Sequence, residues 1–559
     1  WSALALLPIL NVLYIIFERS HNRPFAEEWF DSALVAIAVH DGTLTLKQLL
    51  TPVNEYPHLM TKVVVALHTP LTRYDLRFDM LLGLIMCVLI LLSVLYLVWR
   101  QERRVALLLA PLLSALIFTP KQASNWMVGF QNVYFAFLLC ITLIVVLIEV
   151  LPIGWRALWL SALIALFGSV ALGAAPFFWI PPLVALWLRG YRRWQYYTVW
   201  LTLAALLTAY FVSGLTAPLS PPPPLDRLGL VAHFAVAFLG APIAPIPRLL
   251  IGTALSLFGL LLFALNSLVL RQWRPEWLRS WVALAAFSAL SAIMAAYGRW
   301  IFFDGVSAYP LTDRYITNGV PFWIALLVVM TSTMFLQQRG ARLELEKLPS
   351  RLVPLADWLQ RNLYRINSLS LAGLGIVFLV SLVVAQVRLP NDKPIGECLR
   401  TLPITRDFDC ARDLAAGRSN FLPVLVRADQ LAVRRLGIFA REPAVEPRFG
   451  EVAVPLEYIG TGTPSPSSFD GRFVTHEING EMHRVFRQRS PAAHDWTVWF
   501  QHITAPTYFE SALYVPPTEQ VSQAVTFRVY GQFFLSKERQ LLFEQRFDPR
   551  KQREPVPIR

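Results

Sequence analysis

The stretch Met80–Trp99, MLLGLIMCVLILLSVLYLVW, decides the fold. It carries no charge and has the length of about 20 apolar residues that crosses the hydrocarbon of a bilayer. Phe130–Val150, Leu249–Leu270 and Ile366–Gln386 repeat the pattern. Several of these runs are apolar all round, which suits lipid or a helix bundle better than a soluble core. The chain therefore reads as a polytopic α-helical membrane protein.

Composition agrees. Of 559 residues, 55% are hydrophobic and only 16% charged, unlike a soluble domain of this length. The net charge of +13 would raise nucleic-acid binding in a soluble protein. Here much of the Arg excess sits in short loops between apolar runs, where it retains loops in the cytoplasm, so no nucleic-acid partner is expected.

About eleven spans are expected, at 1–17, 80–99, 105–118, 130–150, 157–175, 176–188, 196–213, 249–270, 281–298, 319–336 and 366–386. The first is read as the outer part of a transmembrane helix. The basic clusters Arg100/Arg103/Arg104, Arg189/Arg192/Arg193, Arg271/Arg274/Arg279 and Arg339 through Arg365 all fall on one side if the N-terminus is cytoplasmic. The expected location is the inner (plasma) membrane, with the C-terminal region outside. Ala175–Pro182 predicts a tight, Pro-punctuated turn. Val231–Arg248, broken by Pro242, Pro245 and Pro247, predicts a partial or re-entrant element, and Pro221–Pro224 a stiff polyproline segment.

Three regions follow: a transmembrane domain over 1–386, a helical connector over 387–450 and a β-rich domain over 451–559. Cys398 and Cys410 lie just past the last span, where an extracytoplasmic compartment permits a disulfide; two free thiols are the alternative. Cys87 and Cys140 lie within spans and read as apolar side chains. Strand-like runs at Val452–Tyr458, Arg472–Ile478, Trp496–Ile503, Ser511–Val515, Ala524–Tyr530 and Gln540–Phe547 predict a β-sandwich-like domain. Trp496, Trp499, Tyr508 and Tyr514 suit its core, or sugar stacking.

Chemistry concentrates in the loop Glu18–Asp79. Glu27, Glu28 and Asp31 stand close to a membrane face, where carboxylates are costly unless solvated or used. Pro24 stiffens the approach and Trp29 suits the interface. Asn54, Glu55, Tyr56 and His58 form a second polar cluster. The competing reading is an interfacial loop whose acids balance Arg19, Arg23 and Lys47. No Gly-rich phosphate loop, Cys-x-x-Cys pair or His-Glu-x-x-His helix is present.

The ordered motifs resemble those of the C-type membrane glycosyltransferases (the GT-C superfamily), within a bacterial GT-C-like group. They are Glu27-Glu28-Trp29, then Leu44–Leu50 leading to Asn54-Glu55-Tyr56, then Gln122, Asn125, Trp126, Gly129 and Gln131, then Arg314-Tyr315-Ile316-Thr317. The likeness covers most of the membrane region, and the β-rich tail is similar too. The commonest first-motif acids in the group are Asp, and His is usual where Tyr56 stands. The resemblance implies inverting transfer of a sugar from a polyprenyl-phosphate donor to an external glycan or lipid acceptor. Glu27 or Glu28 would be the base, and Arg299 and Arg314 would meet the phosphate. Asp31, Asn54, Glu55, His58, Lys121, Gln131 and Tyr315 would line the same pocket. A divalent cation near Asp304 and Asp313 is left open, with charge balance the plainer role. Alternatives are a non-catalytic accessory subunit of a membrane complex, or a transporter of lipid-linked cargo.

Overall fold

The computed structural model describes residues 2–20, 22–51, 58–171, 175–214, 223–300, 303, 309–341, 353–391, 393–405, 408–415 and 422–441, and six strands from 472 onward. The chain divides into two compact units, Trp1–Trp499 and Phe500–Arg559.

The first unit opens with α1 (Leu6–Tyr14), continued by a π turn over Ile15–Arg19. The segment expected as a loop is largely helical. After a 3-10 turn at Ala26–Trp29 come α2 (Ser32–His40), α3 (Leu46–Leu50) and α4 (Leu59–Thr72). Then follow α5 (Arg77–Gln101) and α6 (Arg103–Ile117), a 3-10 turn at Pro120–Gln122, α7 (Ala123–Met127), another at Gly129–Gln131, and α8 (Asn132–Val150). The predicted Pro-punctuated region resolves into α9 (Trp155–Ala171), α10 (Ala175–Phe178) and α11 (Ile180–Arg189). Pro181 and Pro182 begin α11, where a missing N–H costs nothing. Next are α12 (Trp194–Gly214), α13 (Leu228–Gly240), α14 (Leu249–Trp273), α15 (Pro275–Arg299), α16 (Asp313–Gln338) and α17 (Val353–Val387).

Among the described residues, seven stretches are long and apolar enough to cross a membrane: Arg77–Gln101, Arg103–Met127, Gly129–Val150, Leu249–Trp273, Pro275–Arg299, Asp313–Gln338 and Gln360–Val387. Each coincides with an expected span. The expected spans 157–175 and 176–188 correspond to shorter apolar helices, and Leu59–Thr72 is a third short one that the loop reading passed over.

Burial separates the long helices. The apolar window of α16 is 83% buried and forms the bundle's centre, whereas that of α17 is 17% buried and lies at the periphery. Polar pairs hold α17 where apolar burial is small. Asn266 and Asn367, both fully buried, exchange amide hydrogen bonds of 3.0 and 2.7 Å. Asn11 Nδ2 donates to Gln386 Oε1 at 3.0 Å. Each interhelical bond of this kind contributes about 0.6–1.7 kcal/mol in a bilayer.

The Pro-broken segment after α13 is fixed by close approach. A Cβ built on Gly240 would lie 2.1 Å from the Gly252 carbonyl oxygen, so α13 and α14 touch backbone to backbone. Gly240→Ala is expected to cost about 1–3 kcal/mol through overpacking, read as a lower unfolding temperature in detergent. Trp323 of α16 locks the same corner, its indole N–H donating to Leu239 O at 2.6 Å.

Beyond α17 come α18 (Lys393–Thr405), α19 (Phe408–Leu414) and α20 (Leu422–Val433). Cys398 and Cys410 are disulfide-bonded, joining α18 to α19 with Cα atoms 5.9 Å apart. Cys87 and Cys140 are free and buried.

Six strands pair antiparallel in three ladders. They are β1 (Arg472–Ile478) with β2 (Glu481–Arg487), β3 (Ser511–Leu513) with β6 (Val556–Ile558), and β4 (Val525–Gly531) with β5 (Gln540–Phe547). Val474 faces Val485 in the first ladder, and the third is irregular at Val529/Tyr530. The expected strands 452–458 and 496–503, and the aromatic residues Trp496, Trp499, Tyr508 and Tyr514, lie outside the described residues.

Candidate functional site

Among the described residues, the acidic turn, the segment 118–131, the head of α16, the helix α19 and the end of α20 are linked by direct bonds.

The acidic motif forms the turn Ala26–Trp29. Ala26 sits in the left-handed region at φ 49°, as does His58 at φ 44°. Both are unusual for residues with a Cβ, and such strain is held where surroundings over-determine it. Glu28 supplies much of that determination. It is 1% exposed, its Oε2 accepting from the Phe25 N–H and its Oε1 from the Phe130 N–H, both at 2.8 Å. Burial pushes its carboxyl from an ordinary 4.5 up to about 8; the two amides and Arg23 oppose the rise, and the neighbouring Asp79 adds to it. Desolvation of the fully buried carboxyl outweighs the two amide bonds and the Arg23 charge. A Cβ on Gly129 would meet Glu28 Oε1 at 3.0 Å and Asp79 Cβ at 3.2 Å, so a side chain here would press on the Glu28 carboxyl. Glu28 is thus a clamp between the first segment and the turn before α8. Glu27, next to it, is half-buried.

Asp31 is also committed. Its Oδ1 lies 3.2 Å from Lys62 Nζ and its Oδ2 3.0 Å from His58 Nδ1, with all three side chains buried. Lys62 further donates to the Gln48 and Thr51 carbonyls, closing the end of α3. His58 stacks on Phe130, ring centroids 6.0 Å apart. A second buried pair joins His68 Nε2 to Asp79 Oδ2 at 3.0 Å, with Thr72 on the other ring nitrogen. Sequence reading missed Lys62, His68 and the pairing of Asp79. No local spacing signals them, because each partner is set by how α4 packs. Asn54, Glu55 and Tyr56 lie outside the described residues.

Trp29 is not an interfacial anchor as expected. It is fully buried, its indole N–H donating to Leu414 O at 3.2 Å beneath the connector. Arg434 grips Asp41 with a forked pair of 2.8 and 2.7 Å, which holds the Asp41 carboxyl below its ordinary value. The Gly437 N–H donates to Arg73 O at 2.7 Å. The connector therefore covers the first segment directly.

Between α6 and α7 the helix breaks at Phe118–Thr119, with Thr119 extended. Broken backbone at membrane depth requires its freed groups to be satisfied by protein. Gln122 Nε2 donates to Ile117 O at 2.6 Å and Trp126 Nε1 to Thr119 O at 3.1 Å. Thr317 Oγ1 of α16 bonds Gln122 Oε1 at 2.6 Å and accepts from Asn125 Nδ2 at 2.9 Å. Two motifs far apart in sequence thus meet, and much of their polarity maintains the break. Buried polar atoms without a hydrogen-bond partner remain on Asn125 (Oδ1), Gln131 (Oε1), Asn132, Tyr315 (Oη) and Asn318 (Oδ1).

Arg314 lies at the head of α16 over the Tyr309 and Tyr315 rings, 5.3 and 5.1 Å from their centroids, and donates to the Tyr309 hydroxyl. Arg299 ends α15, within electrostatic range of it. Tyr315 is buried among Phe234, Phe238 and Tyr309. Lys121 is a capping residue: its Nζ donates to the carbonyls of Ala241 and Ala244 just past α13. Asp304 lies outside the described residues, and among those described no group of three or more His, Cys, Asp or Glu side chains is gathered to hold a metal ion.

No protein-family model matches the chain, and neither a curated protein nor a solved structure matches it.

Proposed function

We propose that this protein is a membrane glycosyltransferase that moves a sugar from a polyprenyl-phosphate donor to a glycan or lipid acceptor outside the inner membrane. The observation that carries the reading is the continuity of one end of the bundle. Glu28 bonds the acidic turn to Phe130, and Asn125, five residues earlier, bonds the Thr317 region of the helix that bears Arg314. These bonds link the acidic turn, through the segment 125–130, to the helix that carries Arg314, which supports a shared site for acid and cation.

The roles divide by environment. Glu28, held on two amides, fixes the turn. Glu27 takes the proton of the acceptor hydroxyl as that oxygen attacks the anomeric carbon from the side opposite the leaving group. The bond from that carbon to the phosphate oxygen breaks, and the lipid phosphate departs with the electron pair. Arg314, aided by Arg299, offsets the charge that develops on it. One displacement inverts the configuration. Asn125, Gln131 and Asn318 offer buried amide oxygens to a sugar's hydroxyls, and the tyrosines offer ring faces.

Orientation belongs to the same proposal. The Arg clusters fall at the other end of the bundle, which the positive-inside rule assigns to the cytoplasm. The Cys398–Cys410 disulfide at the site's end suits an oxidising compartment. The β-rich tail, as a sandwich, would stand on that outer side.

The test is transfer of labelled sugar from polyprenyl-phosphate donors in proteoliposomes. Arg314→Ala is expected to lower transfer about 10²–10³-fold, the loss typical of one donor to developing charge. Unchanged transfer removes Arg314 from the site. No transfer by wild type to any acceptor, together with tight co-purification of partners, favours the accessory-subunit reading. The broken helix at Phe118–Thr119 favours a third reading, a transporter of lipid-linked cargo, since transporters bind at such breaks. Cargo flux across sealed vesicles without sugar transfer would select it.

A further inference from the structure

A cavity of about 210 Å³ lies where the turn before α7, the segment after α13, the head of α16 and the end of α17 meet. Its lining combines Lys121, Asp313 and Arg388 with apolar walls that include Ile316, Val384 and Leu389. Arg314 is not among the lining residues; it turns towards Tyr309 and Tyr315, so the cavity is separate from the proposed phosphate contact of the reaction.

Position and charge define what fits. Arg388 is exposed and follows the last residue of the Gln360–Val387 span, at headgroup depth for a membrane-crossing helix. The little-buried α17 forms one wall, so the cavity borders the lipid-facing periphery. Lys121 has three N–H donors and spends two on Ala241 and Ala244, leaving one. Asp313 lies within electrostatic range of Lys121. Two cations would suit a phosphate, but a purely anionic group would also meet the Asp313 carboxylate. A headgroup that carries both a phosphate and an ammonium satisfies all three side chains. The volume is below the about 300–1,000 Å³ of sites for whole drug-sized ligands, so it suits a headgroup whose chains remain in the bilayer.

We propose that this cavity is a binding site for the headgroup of an amine-bearing phospholipid, of the phosphatidylethanolamine type. Arg388 and Lys121 take the phosphate, Asp313 takes the ammonium, and the acyl chains run down the apolar surface beside α17.

The purified full chain, examined by native mass spectrometry and thermal unfolding, tests this with phosphatidylethanolamine, phosphatidylglycerol and polyprenyl phosphate added separately. Wild type should retain phosphatidylethanolamine and be stabilised by it more than by the other two. Asp313→Asn should erase the preference over phosphatidylglycerol. Arg388→Ala, at an exposed position where folding is not at stake, should weaken retention of both phospholipids about 10–100-fold. Soluble phosphoethanolamine should fail to displace the bound lipid. Equal retention of phosphatidylglycerol or polyprenyl phosphate by wild type, a preference unchanged in Asp313→Asn, wild-type retention by Arg388→Ala, or displacement by the soluble headgroup each overturns the proposal.

Discussion

In membranes carrying Glu27→Gln, sugar transfer from a polyprenyl-phosphate donor should fall about 10²–10⁴-fold, the usual contribution of a positioned general base. Gln keeps the shape of the side chain and removes its ability to accept a proton, so protein level and unfolding temperature should stay near wild type. The same substitution at Glu28 should behave differently. Its amide nitrogen cannot accept from an N–H, so one of the two bonds to Phe25 and Phe130 is lost, and the acidic turn loosens. The comparison separates chemistry from scaffolding: Glu27→Gln should lose rate at normal stability, whereas Glu28→Gln should lose stability first. Equal transfer by both variants and wild type would sink the base assignment, and a stability loss confined to Glu27→Gln would reverse the two roles.

The second large effect is thermodynamic. Glu28→Ala leaves two amides without acceptors at about 1–3 kcal/mol each, so a loss of roughly 2–6 kcal/mol is expected. The pH dependence provides a signature. Glu28 ionises at about 8 in the folded protein against an ordinary 4.5, so between those values the folded state holds a proton that the unfolded state has released. Its contribution to stability is fully present below pH 4.5 and is lost as pH rises towards 8, by about 1.4 kcal/mol per pH unit at most. Thermal unfolding in detergent from pH 5 to 8 should show that decline in wild type and a flatter profile in Glu28→Gln. A profile of the same slope in both would remove Glu28 as its source.

The two glutamates are neighbours of identical chemistry, and nothing in Glu27-Glu28-Trp29 says which one is a clamp. Phe130, which decides it, lies a hundred residues away and acts through a backbone amide that any residue but proline would supply. Trp29 misled for a related reason: beside a membrane segment, an indole suits the interface, until a connector helix brings the Leu414 carbonyl to its N–H. The resemblance makes Lys121 a candidate for the phosphate pocket, yet its ammonium donates to two carbonyls after α13. In each case the partner is remote in the chain, and burial rather than residue type sets the role.

The sequence by itself pointed to the seven described helices that are long and apolar enough to cross a membrane, because that property depends on the composition of a contiguous run of about 20 residues. It also pointed to the Cys398–Cys410 region and to the segment that carries the acids. Only the tertiary structure decided that the described parts of this segment are largely helical, that Asp31 pairs with both His58 and Lys62, and that the polar motifs around Gln122 and Thr317 hold a broken helix together. A buried charge or a freed carbonyl must find a partner nearby in space, and packing alone decides which side chain is near.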